Sequence, residues 1–198
     1  MKIYKFILTV VIAASVMAFK GKDGEYKVDA GKSKLTWVGK KVTGEHSGII
    51  NIAEGSLTTK SNKLTGGTFT IDMTSLKDTD ITNPDGQQKL VGHLKSDDFF
   101  ATDKHPKATF VITKITAGEK DQYTVKGNLT IKGITNEIEF PASVQIVNGQ
   151  ITAKAKILVD RTKFDIKFRS GNFFENLGDK AIDDNFELNV ELVGTQAA

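Results

Sequence analysis

Apolar and polar side chains alternate with a period of two along most of the chain after residue 26. That is the spacing of strands with one face on a core and the other in water. Leu35 and Trp37 alternate with Lys34 and Thr36; Phe69, Ile71 and Met73 alternate with Thr68, Thr70 and Asp72. Phe110 and Ile112 share one parity, although Val111 blurs it. The longest runs set Tyr123, Val125, Gly127, Leu129 and Ile131 against polar neighbours. They are followed by Ile138, Phe140, Ala142, Val144 and Ile146, by Ile151, Ala153, Ala155, Ile157 and Val159, and by Phe186, Leu188, Val190 and Leu192. A one-residue slip in any of them would bury Lys and Glu, so the register is strongly specified.

The pattern predicts strands at 26–29, 34–40, 48–53, 56–60, 66–73, 107–116, 122–132, 136–147, 150–160 and 185–194. With neighbours merged they make roughly eight or nine strands. Turn signals fall at Gly66-Gly67, Ala117-Gly118-Glu119, Gly133 and Asn148-Gly149, the last a type I′ hairpin pair. Two segments break the alternation. In 83–95, Asn83 is a helix cap, Pro84 suits the first helical position, and Leu90, Val91 and Leu94 share one helical face. This short helix lies in an excursion over 74–106. A second long connection, 161–184, carries Phe164, Phe168, Phe173 and Phe174, and connections this long tend to be lids, binding loops or plugs.

So many antiparallel strands in one domain predict a sandwich or a closed barrel. Strands of ten or more residues are tall, on the order of 35 Å. A closed barrel of that size either fills with side chains or holds one small ligand.

Residues 1–18, MKIYKFILTVVIAASVMA, place two Lys before an apolar run, with Val16 and Ala18 at small-residue cleavage positions. This is the layout of a signal peptide, and the run is short for a spanning helix. A periplasmic or secreted protein is expected, with residues 19–198 as one domain and no membrane span after cleavage. The leader also changes the charge. The net +3 comes from 27 basic and 24 acidic residues; removing Lys2 and Lys5 leaves 25 against 24, or +1. A near-neutral chain with no basic block is a poor nucleic-acid partner. No cysteine is present, which excludes disulfides, a thiol nucleophile and a lipidated N-terminal Cys.

Several segments together resemble the YceI-like family of polyisoprenoid-binding, lipocalin-like periplasmic proteins, over about Tyr26 to Val193. Tyr26-Lys27-Val28-Asp29 and Ser33 to Trp37 resemble its first strand, and Gly66 to Phe69 with Ile71-Asp72-Met73 its G-x-F-x-hydrophobic-Asp strand. His93 to Phe100 followed by His105 to Phe110 resembles its most distinctive motif, Gly127 to Thr135 its G-x-L-T-I-K-G hairpin, and Arg161 to Phe164 its R-x-x-F segment. Asp165 departs from the pattern, standing where the family usually has Gly. The resemblance implies a lipocalin-like all-β antiparallel barrel of about eight strands with one short helix. It also implies an elongated apolar cavity for an isoprenoid or other long-chain amphiphile, and no catalysis or cofactor.

The candidate cavity lining is Trp37, Phe69, Ile71, Phe110, Ile112, Leu129, Ile131, Phe140, Ile157 and Phe164; the same residues would serve a filled core. At the mouth, one Phe of each pair, Phe99-Phe100 and Phe173-Phe174, is expected to anchor its loop while the other, Phe100 or Phe173, gates the opening. Arg161, one of two arginines, suits an anionic head group, or else a structural ion pair with Asp160, Asp98 or Asp72. His46, His93 and His105 match no short metal-binding spacing, and His93 reads as a polar contact near the helix end. Asp78, Asp80 and Asp85 lack the glycine and closing Glu of a calcium loop. No metal site is therefore expected. Glu45-His46-Ser47 sits in a loop leading into a strand and lacks the strand-turn-helix setting of a nucleophile elbow. The sequence thus predicts a non-enzymatic carrier of a polyisoprenoid, quinone or fatty-acid-like molecule. The alternative is a filled barrel acting as a structural or stress-response interaction module. A homodimer is compatible with either.

Overall fold

Outward Lys, Thr and Glu side chains on alternate positions leave each strand one apolar face, and that face can be buried on all strands at once only by curling the sheet onto itself. The computed structural model, which describes residues 23–197, shows that solution; the leader segment 1–18 lies outside the described residues. Nine strands form one antiparallel sheet: β1 (Gly24–Val28), β2 (Lys34–Lys41), β3 (Gly44–Lys60), β4 (Lys63–Asp78), β5 (Lys107–Ala117), β6 (Gln122–Ile131), β7 (Ile134–Val147), β8 (Gln150–Asp160) and β9 (Ile182–Gln196). Each pairs with the next from β2 to β9, and β9 pairs back onto β2, which closes the barrel.

The nine strands occupy eight positions. β1 and β2 run in the same direction between the same neighbours, β3 and β9, so they are two halves of one interrupted strand. Against β9 the register is Val28↔Gly194 and then Lys34↔Glu191, so the five residues 29–33 face only two. The excess bulges out as a turn in which the Asp29 carboxylate accepts from the N–H groups of Gly31 and Lys32. Ser33 Oγ accepts from Val193 N at 3.0 Å and lies 3.3 Å from Val193 O, substituting for the interrupted backbone ladder.

The predicted segments 48–53 and 56–60 are one strand of 17 residues, β3, and its start at Gly44 corrects the reading of 43–48 as a loop. The merger was hidden by β-bulges. Ile50 and Ile52 point inward on even numbers, Leu57 and Thr59 on odd ones, and the ladder slips between Ile52 and Glu54 to reconcile them. The same device explains β5. Its ladder slips between Ile112 and Lys114, so that Ile115 rejoins the core on the opposite parity, while Val111 faces out. Tight turns follow the sequence signals: Asn148 and Gly149 have φ of 50° and 75°, as a type I′ pair requires.

α1 (Pro84–Lys95) starts at Asn83, whose side chain accepts from Gly86 N at 3.0 Å. Its Leu90, Val91 and Leu94 pack on the core. Among the described residues no helix is long and apolar enough to cross a membrane. The second long connection opens with a 3-10 turn, Arg161–Phe164, capped by Asp160 and ended by Asp165 in the left-handed region (φ 57°). Asp stands at this left-handed position because it tolerates the conformation better than most non-glycine residues.

Candidate functional site

The barrel is not filled. A cavity of about 290 Å³ lies at the end covered by α1, and a second, inner one of about 120 Å³ adjoins it on the side away from α1. Leu35, Ile71, Leu129 and Leu188 wall both, so the two chambers are successive along one lumen. The outer chamber is roofed by Leu90 and Leu94 of α1 and by Phe99 and Phe100 of the loop that follows. Its polar residues, Lys40, Lys41, His46, Arg161, Asp183 and Asn185, mark the mouth. The inner chamber is lined by apolar side chains, with Lys154 the one charged residue among them.

Nine of the ten candidate lining residues face this lumen. Trp37 and Ile131 line the outer chamber. Phe69, Phe110, Ile112, Phe140 and Ile157 line the inner one, and Ile71 and Leu129 line both. The rings of Phe69, Phe110 and Phe140 follow one another, the first two stacked with centroids 6.4 Å apart and the last two tilted at 5.6 Å. Phe164 is the exception: it is 1% exposed and lies on neither chamber's wall, so it packs within the 3-10 turn as a structural anchor. Residues outside the candidate lining also face the outer chamber: Met73 and Phe186, which stand in the alternating runs, and Leu76, which does not. Met73 and Leu76 lie on opposite parities of β4, separated by its widest irregularity, between Ile49↔Lys77 and Asn51↔Asp72.

In the first aromatic pair both rings border the outer chamber: Phe99 is buried, against Phe168 and edge-on to His93, while Phe100 is partly exposed and meets Phe186 edge-on at 6.1 Å. In the second pair, Phe173 and Phe174 are both half exposed and neither lines the lumen, so Phe173 is not a gate there; Lys167 lies over its ring at 5.2 Å.

Arg161 does reach the outer chamber's wall, but its donors are committed. Nε donates to Asp183 O (2.9 Å), Nη1 to Ile166 O (2.7 Å) and Nη2 to Ile182 O (2.9 Å), with Asp184 as its ion-pair partner at 3.5 Å. Asp184 replaces the three acids named from sequence. Burial lowers the guanidinium's pKa from its ordinary value, opposed by Asp184, Asp160 and Asp183. Arg161 thus fastens the second connection to the start of β9 and shapes the mouth. The histidines do not converge: His93 Nε2 pairs with Asp98 at 2.9 Å, His105 lies against Gly133, and His46 pairs with Asp80 at 3.0 Å.

A closed eight-position antiparallel barrel with a roofed apolar lumen has the architecture of lipocalin-like barrels. Residues 26–194 match the model of the YceI-like domain, and the chain belongs to that family. The UPF0312 protein plu2095 of Photorhabdus laumondii is 30% identical over 105 residues, half of each chain. UPF0312 protein SAR2769 of Staphylococcus aureus is 56% identical over 48 residues, 24% of this chain and 25% of that protein. The chain thus spans at most half the length of these curated relatives. Among solved structures, BcnA of Burkholderia cenocepacia superposes with a TM-score of 0.70 at 24% identity, covering 85% of this chain and 99% of BcnA. A polyisoprenoid binding domain from Saccharophagus degradans, implicated in plant cell wall breakdown, gives 0.62 at 18% identity, over 87% and 98%. These likenesses show the shared fold.

Proposed function

We propose that this protein is an exported, non-catalytic carrier that shelters the apolar tail of one long-chain amphiphile, of polyisoprenoid, quinone or fatty-acid type. The observation that carries this reading is the two-chambered lumen, apolar within and polar at its mouth. Burying hydrocarbon there contributes roughly 2.5 kcal/mol for every ~100 Å² removed from water. The volume lies near the lower end of the ~300–1,000 Å³ typical of small-molecule pockets, which favours a single chain over a branched or double-tailed lipid. Family membership and the polyisoprenoid-binding neighbour support the ligand class, and the leader segment supports export. The cavities weigh against the filled-barrel alternative.

Mass spectrometry of an organic extract from natively purified protein tests this. A stoichiometric long-chain species is expected from the wild type, and a folded Ile71→Trp variant, which plugs the junction of the chambers, should lose it. Wild-type protein free of any such species, or undiminished retention by the plugged barrel, would overturn the assignment.

A further inference from the structure

Two carboxylates and an imidazole meet where the β2–β3 hairpin lies against the end of β4. β3 and β4 pair Gly48 with Asp78. Alternation puts His46 on the same face of β3 as Gly48, and two further residues bring Asp80 round beside it. One oxygen or nitrogen each of His46, Asp78 and Asp80 lies within 4.8 Å of the other two.

The backbone orients both carboxylates. Asp80 Oδ1 accepts from Ser47 N at 2.7 Å, leaving Oδ2 to meet His46 Nδ1 at 3.0 Å. Asp78 Oδ1 accepts from Ile81 N at 2.9 Å, and its Oδ2 is buried without any hydrogen-bond partner in a residue only 3% exposed. The scaffold behind them is stitched tightly: Thr79 N donates to Ser47 O, Gln87 Nε2 to Asp78 O, and Trp37 Nε1 to Lys77 O. A buried, unpartnered carboxylate oxygen is costly unless a proton or a cation meets it.

We infer that His46 Nδ1, Asp78 Oδ2 and Asp80 Oδ2 bind a divalent transition-metal ion of the Zn²⁺ type. The donor set is one imidazole nitrogen and two carboxylate oxygens, all ordinary zinc ligands, and three protein ligands leave a fourth position open. Two carboxylates balance the charge of a dication. Hydrogen bonds from Ser47 N and Ile81 N hold the ligating carboxylates in place, as outer hydrogen bonds do in metal sites generally. Because His46 also lines the outer chamber, the ion sits at the mouth of the lumen. The inference does not depend on what the lumen holds.

Isothermal titration of tag-free, EDTA-treated and dialysed full-length protein with ZnCl₂ tests it. Saturable one-to-one binding is expected, weakened at least tenfold by His46→Ala and by Asp78→Asn. His93→Ala, which removes the separate His93–Asp98 pair, should leave it unchanged. No stoichiometric binding by the wild type would mean that the carboxylates merely share a proton and would overturn the site. So would equal binding by folded Asp78→Asn. A readout needing no variant is paramagnetic broadening by Co²⁺ in backbone NMR. Loss of the amide signals of His46, Ser47 and residues 78–81 supports the assignment; loss centred on His93 and Asp98 instead refutes it.

Discussion

Arg161 shows how far a single side chain can be read from its neighbours in sequence. Its motif marked it as important, and the chain's scarcity of arginine marked it as specific. Yet a sequence cannot show that three backbone carbonyls, from Ile166, Ile182 and Asp183, converge on one guanidinium. Replacing it with Lys keeps the charge but loses the fork that spans those acceptors. Arg161→Lys should therefore cost about 1–3 kcal/mol, as leaving buried carbonyl acceptors unsatisfied does. Phe173→Ala, at a half-exposed ring, should stay within about 0.5 kcal/mol. Urea unfolding midpoints of the two variants check the contrast, and equal shifts would contradict it. The cluster of His46, Asp78 and Asp80 was also illegible. Mirroring the strands about the Ser61-Asn62 turn places Asp78 opposite residue 45, whereas irregularities in the ladder bring it opposite Gly48.

Elements were most legible where alternation was unbroken. β6, β7 and β8 pair without a slip and fall close to their predicted bounds. β3, β4 and β5 were blurred because a bulge switches which parity faces the core, and a period-two reading treats that switch as a strand end. The helix was legible from Asn83, Pro84 and its apolar face, since capping chemistry is local. Gly48 illustrates what holds the irregular elements together. A Cβ there would lie 1.8 Å from Lys77 O and 2.6 Å from the Trp37 ring, so only glycine lets β3 approach β4 beneath that ring. Gly48→Ala should destabilise by about 1–3 kcal/mol through overpacking. It should also shift Trp37 fluorescence, because the indole must move off Lys77 O. An unchanged emission spectrum with unchanged stability would show that the strands part freely.

At the scale of the molecule, alternation and strand count pointed to a barrel or a sandwich, and the family resemblance pointed to a barrel. Whether the lumen was hollow was out of reach of the sequence, because Phe, Ile and Leu fill a core and line a cavity equally well. Hollowness depends on summed volumes, not on any one residue. It has an energetic consequence. Lining atoms without partners forgo dispersion contacts, so an occupied barrel should be the more stable one. A ligand held at about one hundred times its dissociation constant adds ~2.7 kcal/mol, or roughly 5–10 °C in Tm for a domain of this size. Calorimetry of natively purified protein before and after delipidation should show that drop, and its restoration when the extract is added back. Identical melting would count against occupancy.

The interrupted strand bears on how the chain is made. The short β1 is clasped by β9, with Tyr26 opposite Gln196 and Ala197 N donating to Glu25 O at 2.8 Å. Vectorial synthesis delivers one of these partners first and the other last. Until β9 joins it, the sheet has two bare edges, β8 on one side and the β1–β2 pair on the other, each a template for pairing with another chain. The docking of a single segment covers both edges at once, so the hazard lasts until the last strand is in place and ends in one step.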